Sequence, residues 1–176
     1  SIINLKKELI YSNSVPYKYG FKNPNSWINS CEKLIDNLPL EIKSNMVNLA
    51  ISGTSGTLIA SDLRGNPLGK AIPYNQACND NKVLIESITA GEDHLQTPYS
   101  SLAKALKLIN KFGENILLRH QSDWITGWFL KDWTYGEEGN NIKLGYDLIR
   151  GSWPNSYLNT SWYKCLPLII KSGKIL

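Results

Sequence analysis

The sequence predicts an α/β fold, and three observations carry that prediction. Short apolar runs that read as strands alternate with longer stretches whose apolar residues recur at helical spacing. Turn residues rich in Gly, Pro, Asn and Asp separate the two kinds of segment. The 176 residues, 42% hydrophobic and 19% charged, have the composition of a globular domain and enough length to bury a core.

Residues 1–10 read as a strand, a turn and a second strand, with Leu9 and Ile10 leading into a polar Ser/Asn/Pro loop. A helix follows. Asn23 is placed to cap it and Pro24 to occupy its first position, where a missing N–H costs nothing. Trp27, Ile28, Cys31, Leu34, Ile35 and Leu38 then share one face, and Pro39 stops the run. Residues 47–51 form a short apolar run that predicts a buried strand. After the Gly-rich turn at 53–56, residues 57–61 predict another, closed by the turn chemistry of Asp62-Leu63-Arg64-Gly65-Asn66-Pro67.

Residues 98–111 predict a second long helix. Pro98 opens it, Tyr99, Leu102, Ala103, Leu106 and Ile109 line one face, and Gly113 lies just beyond. Residues 121–130 read as helical too. Residues 136–139 break the chain before an apolar stretch at 142–148. The tail, Leu166-Pro167-Leu168-Ile169-Ile170, reads as a strand ending at Ser172-Gly173. No internal repeat, low-complexity tract or composition shift argues for a boundary inside the chain.

Several function classes are disfavoured at this stage. The net charge of +4 is mild, and no Lys/Arg stripe with interleaved aromatics marks a nucleic-acid surface. Three cysteines (Cys31, Cys78 and Cys165) are odd in number and far apart, which argues against a disulfide framework. No Cys or His pair has zinc-ligand spacing, so no metal site is expected. No apolar run reaches membrane-spanning length and the start has no signal pattern, so the expected setting is the reducing cytoplasm. Asn159-Thr160-Ser161 matches a glycosylation acceptor, a pattern short enough to arise by chance. The chain opens at Ser1 without an initiator Met, which reads as a piece of a longer protein or as methionine removal.

Two segments carry candidate chemistry. In Gly53-Thr54-Ser55-Gly56-Thr57 the glycines permit a tight turn and close approach of a ligand, while three hydroxyls offer donors and acceptors. A plain inter-strand turn would use the same residues. In Tyr74-Asn75-Gln76-Ala77-Cys78-Asn79-Asp80, a phenol and several amides follow an apolar stretch. They could hydrogen-bond a polyhydroxylated ligand or brace a loop. Cys78 has no basic neighbour in sequence to activate it and reads as packing.

Other patterns are near misses. Residues 65–70 fall one residue short of a phosphate-binding loop, and Ala71 follows the Lys where Ser or Thr is needed. No dinucleotide fingerprint or nucleophile elbow is present. His120 reads as a lone surface histidine. Asp62, Asp123, Glu137, Glu138 and Asp147 show no acid/base pair spacing, and Asp62 is assigned to its turn. Trp124, Trp128, Trp133, Trp153 and Trp162 crowd the last third, where packing is the commoner role and sugar stacking the alternative.

Read in order, these segments resemble the FGGY carbohydrate kinases. The resemblance runs through Leu49-Ala50-Ile51-Ser52-Gly53-Thr54-Ser55-Gly56-Thr57-Leu58-Ile59, then Asp62, Gly65 and Pro67, then Ile72-Pro73-Tyr74-Asn75-Gln76-Ala77-Cys78. Ser100-Ser101-Leu102-Ala103-Lys104, Gln121-Ser122-Asp123-Trp124 and Asn141-Ile142-Lys143-Leu144-Gly145-Tyr146-Asp147 follow in register. Cys165-Leu166-Pro167 with Ser172-Gly173 closes the series. The Gln-Ala-Cys after Tyr74-Asn75 is similar to the cyanobacterial and plant D-ribulose or D-xylulose kinase-like branch.

The resemblance implies a ribonuclease H-like domain of the actin-like ATPase and sugar-kinase kind, with a mixed sheet flanked by helices. Residues 1–176 would form part of the N-terminal, sugar-binding domain. Its implied activity is ATP-dependent phosphorylation of a pentulose hydroxyl, with ATP and Mg²⁺ as cofactors of the full-length enzyme. The implied partners are a small sugar and the C-terminal nucleotide-binding domain of the same parent chain, with neither nucleic acid nor membrane. Ser55 matches a sugar-contacting serine, Thr54 neighbours it, and Asn75 and Gln76 fall where relatives use a polar pair near the sugar. Glu137 and Gly139 replace an Asp and an Asn common in relatives. The family's opening glycine-rich hairpin would precede Ser1 and its catalytic Asp would follow Leu176, so no catalytic residue is assigned and the fragment alone is expected to be inactive. The alternative is a non-catalytic sugar-binding or regulatory remnant.

Overall fold

The computed structural model describes residues 1–89 and 93–176. It divides into two compact units, Ser1–Ala50 and Ile51–Leu176, a boundary that no composition shift in the sequence announces. Both helices and strands are present, as an α/β reading requires. The strands among the described residues pair as three separate two-stranded sheets, whereas the resemblance implied one mixed sheet.

In the first unit, β1 (Ile2–Ile3) and β2 (Leu9–Tyr11) form an irregular antiparallel hairpin. The Asn4 side chain closes it by accepting the Lys6 and Glu8 amides at 2.9 and 3.0 Å. Helix α1 (Pro24–Asp36) begins as its sequence dictates, with Asn23 accepting the Asn25 amide at 3.0 Å and Pro24 at its first position. Trp27 is buried on it and donates its indole N–H to the Phe21 carbonyl at 2.7 Å. A short helix, α2 (Leu40–Ser44), follows Pro39. The strand expected at 47–51 does not form. Those residues are irregular, and Val47 and Leu49 are exposed. An apolar run becomes a strand only with a partner ladder, and none is offered to it among the described residues.

The second unit is built on β3 (Leu58–Ser61) and β4 (Leu117–His120), paired antiparallel with Leu58 opposite His120 and Ser61 opposite Leu117. All four β3 residues are buried, so both faces of this ribbon are covered. An isolated bridge between Leu58 and Ile72 extends the ribbon on the other side of β3. Asp62 accepts the Arg64 and Asn66 amides at 2.9 and 2.8 Å, so its carboxylate does serve the 62–67 turn.

Helices α3 (Lys82–Ile88) and α4 (Asp93–Gln96) precede the long α5 (Ser101–Phe112). Helix α5 starts later than its sequence suggested, because Ser100 Oγ accepts the Ala103 amide at 3.1 Å and takes the cap position from Pro98. Helix α6 (Gln121–Leu130) follows β4 directly. Strand β5 (Tyr135–Glu137) pairs parallel with β6 (Leu168–Ile170), so Gly136 lies inside a strand. Between them lie α7 (Glu138–Asn141), a 3₁₀ turn at Ile142–Leu144, α8 (Asn155–Leu158) and a second 3₁₀ turn at Ser161–Cys165.

The core joins β3, α5 and β4 to the aromatic tail through Leu58, Leu102, Leu106, Leu118, Leu144 and Tyr157. Trp124, Trp153 and Trp162 are buried, which favours the packing role for these three. All three cysteines are free thiols, and burial raises the pKa of each, in keeping with an unreactive Cys78. No helix among the described residues is long and apolar enough to cross a membrane.

Candidate functional site

The Gly53–Thr57 segment leads into β3 and turns tightly, with the Thr57 amide donating to the Thr54 carbonyl at 3.2 Å and Gly56 at φ +78°. Its base rests on the start of α6. A Cβ on Gly53 would stand 2.7 Å from the Ser122 amide nitrogen, so only glycine lets the backbone come this close. The Thr54 amide donates to Gln121 Oε1 at 2.7 Å. Ser55, at the tip, is exposed and its hydroxyl makes no hydrogen bond among the described residues.

The second candidate segment lies beside the first. Leu58, just after the turn, and Ile72, just before residues 73–76, exchange backbone hydrogen bonds of 3.0 and 2.8 Å. A Cβ on Gly56 would lie 3.6 Å from Tyr74 Cβ on one side and 3.7 Å from Lys143 Nζ on another. Asn75 is exposed and Gln76 half-buried, its amide donating to the Pro73 carbonyl at 3.1 Å. The fold therefore places Tyr74, at the start of the second segment, against Gly56 of the turn.

Lys104 fixes that second segment from below. Its side chain is fully buried, and its ammonium donates to the carbonyls of Tyr99 at 2.5 Å and Tyr74 at 3.4 Å. Burial is the main reason its pKa falls to about 8, and Lys143 pushes it the same way.

A buried polar network supports the α6 end of the site. His120 is 1% exposed, so the expectation of a surface histidine is corrected. The residue falls at the end of β4, opposite fully buried Leu58, in a strand that the sequence reading did not identify. Its Nε2 shares a 2.9 Å hydrogen bond with Ser101 Oγ. Burial first, then the charge of Lys104, lowers its pKa to about 3. At neutral pH it is an uncharged imidazole, so its 3.8 Å approach to Asp123 is not an ion pair.

Asp123 accepts the Glu137 amide at 3.2 Å and the side-chain amides of Asn140 and Asn141, each at 3.1 Å. Burial raises its pKa to about 6 against the pull of those bonds. Burial also pushes the Glu137 carboxyl up, but hydrogen bonds from Ser172 and the Gly139 and Asn140 amides outweigh it and hold it below the usual range. Asn140 also donates to Ser122 Oγ at 2.8 Å. The Asp123–Glu137 association has no sequence spacing that could reveal it. It arises where β5 passes the first turn of α6.

Ser101, His120 and Asp123 fall in the order of a hydrolase triad, yet all three are buried and no reactant could reach them. Among the described residues no group of three His, Cys, Asp or Glu side chains could hold a metal ion. What the arrangement offers a ligand is an exposed hydroxyl, amides and the Lys143 ammonium, all hydrogen-bonding groups on a braced turn. Lys143 and Gln121 lie in segments that carry the family resemblance, but the sequence assigned neither a role at the site.

No protein-family profile matches this sequence. Among solved structures, the fold is similar to that of the glycerol kinase of Plasmodium falciparum determined with ADP. The TM-score is 0.71 at 18% sequence identity, and the match covers 95% of this chain and 39% of the kinase. The chain thus shares the fold of a portion, less than half, of that glycerol kinase.

Proposed function

We propose that this chain is part of the sugar pocket of an ATP-dependent carbohydrate kinase acting in the cytoplasm on a pentulose, D-ribulose first and D-xylulose second. The single observation that carries the kinase reading is the fold match to a glycerol kinase over 95% of the chain. The pentulose choice rests on branch resemblance in the sequence alone.

In this reading the exposed Ser55 hydroxyl and the neighbouring Thr54, Asn75 and Gln76 hydrogen-bond sugar hydroxyls. The rigid turn presents them in one orientation, which is how a pocket limits the entropy lost on binding. Phosphoryl transfer also needs a base, a phosphate clamp and Mg²⁺. The described residues do not fit Mg²⁺–ATP. No acidic cluster converges on a cation site, and residues 65–70 follow the Asp62 turn without the Ser or Thr of a phosphate loop. In this reading those parts are supplied by the rest of the parent chain.

A second reading, a non-catalytic sugar-binding or regulatory remnant, shares the pocket with the first, and neither reading finds a base among the described residues. The two carboxylates of the network, Asp123 and Glu137, are both committed to internal hydrogen bonds and neither stands free as a base. The flanking gene sequence separates the two readings, since a remnant would lack an upstream glycine hairpin and a downstream Asp block.

Tryptophan fluorescence of the 176-residue chain titrated with D-ribulose and D-xylulose tests the pocket. Ser55→Ala is expected to weaken binding about tenfold, the loss of roughly one good hydrogen bond. Its melting temperature should hold, since Ser55 is exposed. No response of the wild-type chain to either sugar would sink the pocket. Sugar phosphate formed from ATP by this chain alone would overturn the expectation that it is inactive.

A further inference from the structure

We infer that Gln121 is the positioning residue of this site, a role that rests on the sugar-pocket reading. It contacts no ligand in this scheme and acts through Ser55. Gln121 is 2% exposed and holds the 54–57 turn at both ends. Its backbone amide donates to the Thr57 carbonyl at 3.1 Å, continuing the β3–β4 ladder by one rung. Its side-chain Oε1 accepts the Thr54 amide at 2.7 Å, a contact between residues 67 positions apart.

The geometry of the neighbours explains why one side chain suffices. Gly53 lies against the Ser122 backbone, so the turn already touches α6 and has only a short distance to span. Ser122 is itself held through Asn140, and Asp123 through Asn140, Asn141 and the Glu137 amide, so the platform under Gln121 is fixed. Above the clamp, Ser55 has no hydrogen bond of its own among the described residues. Its direction is therefore set by the turn, and the turn by Gln121. Without the acceptor, the half-buried Thr54 amide would lack a partner and the turn would spread over other conformations. The apparent dissociation constant rises in inverse proportion to the fraction of chains that remain competent.

Gln121→Met keeps the volume and removes the acceptor, while Gln121→Glu restores an acceptor at the same reach. The 176-residue chain in three forms, wild type, Q121M and Q121E, is compared in amide hydrogen exchange and in D-ribulose titration. In Q121M, exchange at the Thr54 and Thr57 amides, the two that are hydrogen-bonded in this turn, should quicken and the sugar should bind about tenfold more weakly, with the Arg119 amide unchanged. Q121E should return both to within about threefold of wild type. A simple packing role would not be rescued by a carboxylate. Unchanged exchange in Q121M, or unchanged sugar affinity where wild type binds, overturns this inference and leaves the pocket standing. Failure of the wild type to bind overturns the pocket and this role together. Should Q121M not fold, wild-type exchange decides: a Thr54 amide as labile as that of Ser55 means there is no clamp.

Discussion

His120 and Ser101 share a 2.9 Å hydrogen bond at a point where neither side chain reaches solvent. The imidazole is neutral there, with its pKa lowered from 6.5 to about 3. A histidine whose folded pKa is depressed binds fewer protons than in the unfolded chain, so its contribution is lost as pH falls from 6.5 toward 3. His120→Gln removes that term. The stability advantage of wild type over this variant should shrink on acidification from pH 7 to 4, as read by thermal melts. A gap that stays constant across that range would argue that His120 is exposed and binds protons alike in the folded and unfolded chain.

Asp123 has the opposite slope. Its folded pKa of about 6 lies above its ordinary 3.8, so the folded chain binds more protons between those values. Its contribution is largest in acid and falls as pH rises through 6. Asp123→Asn should cost on the order of 1–3 kcal/mol at pH 7, because an amide nitrogen facing the Asn141 donor leaves a buried group unpaired. The cost should be larger at pH 4.5 than at pH 7, since the native acid is then protonated and relieved of its buried charge. Denaturant midpoints at the two pH values check the sign.

Lys104 extends the pH argument to alkali. Its folded pKa of about 8 lies below 10.5, so wild type gains stability relative to Lys104→Met as pH rises from 8 toward 10. Equal pH profiles for the two proteins would contradict the burial of its ammonium.

Trp133 occupies the space that side chains at Gly65 and Gly127 would need. A Cβ would lie 2.2 Å from its ring at Gly65 and 2.4 Å at Gly127. In a helix, Gly→Ala ordinarily stabilises by up to about 1 kcal/mol. At Gly127 the clash reverses the sign, and Gly127→Ala should destabilise by about 1–3 kcal/mol with a changed near-ultraviolet tryptophan signal.

Arg119 is 2% exposed, and among the described residues no carboxylate forms a salt bridge with it. Its guanidinium donates to the carbonyls of Trp133, Leu118, Cys165 and Thr134 at 2.6–3.4 Å, tying β4 to the segments leading into β5 and β6. Lys cannot supply that planar fork, so Arg119→Lys should cost more than about 2 kcal/mol despite keeping the charge. A midpoint within experimental error of wild type would show that these bonds contribute nothing.

Legibility differed between the fold and the site. Helix α1 was readable because its boundary depends on neighbours a few residues away: Asn23 caps it and Pro24 takes its first position. The 47–51 segment was misread because an apolar run alone does not reveal whether a partner strand exists. Strand β4 was not legible because its short apolar run passes into α6 with no turn residue between them, and so few apolar residues do not distinguish strand from helix. The loops bearing Thr54, Ser55, Asn75 and Gln76 stood out through their Gly, hydroxyl and amide content. The residues that brace them, Gln121 and Lys104, did not, since a Gln or a Lys in a helix is ordinarily solvated.

The sequence by itself determined the alternation of helices and strands, the capped start of α1, the Asp62 turn and the chemical character of the Gly53–Thr57 loop. Each depends on short-range geometry: backbone dihedral limits, side-chain period and caps within a few residues. Only the tertiary structure decided that His120 is buried and neutral, that Asp123 meets the loop from Glu137 to Asn141, and that Gln121 grips Thr54. Those outcomes depend on desolvation and on hydrogen bonds between positions far apart along the chain, and neither composition nor spacing encodes which distant groups will meet.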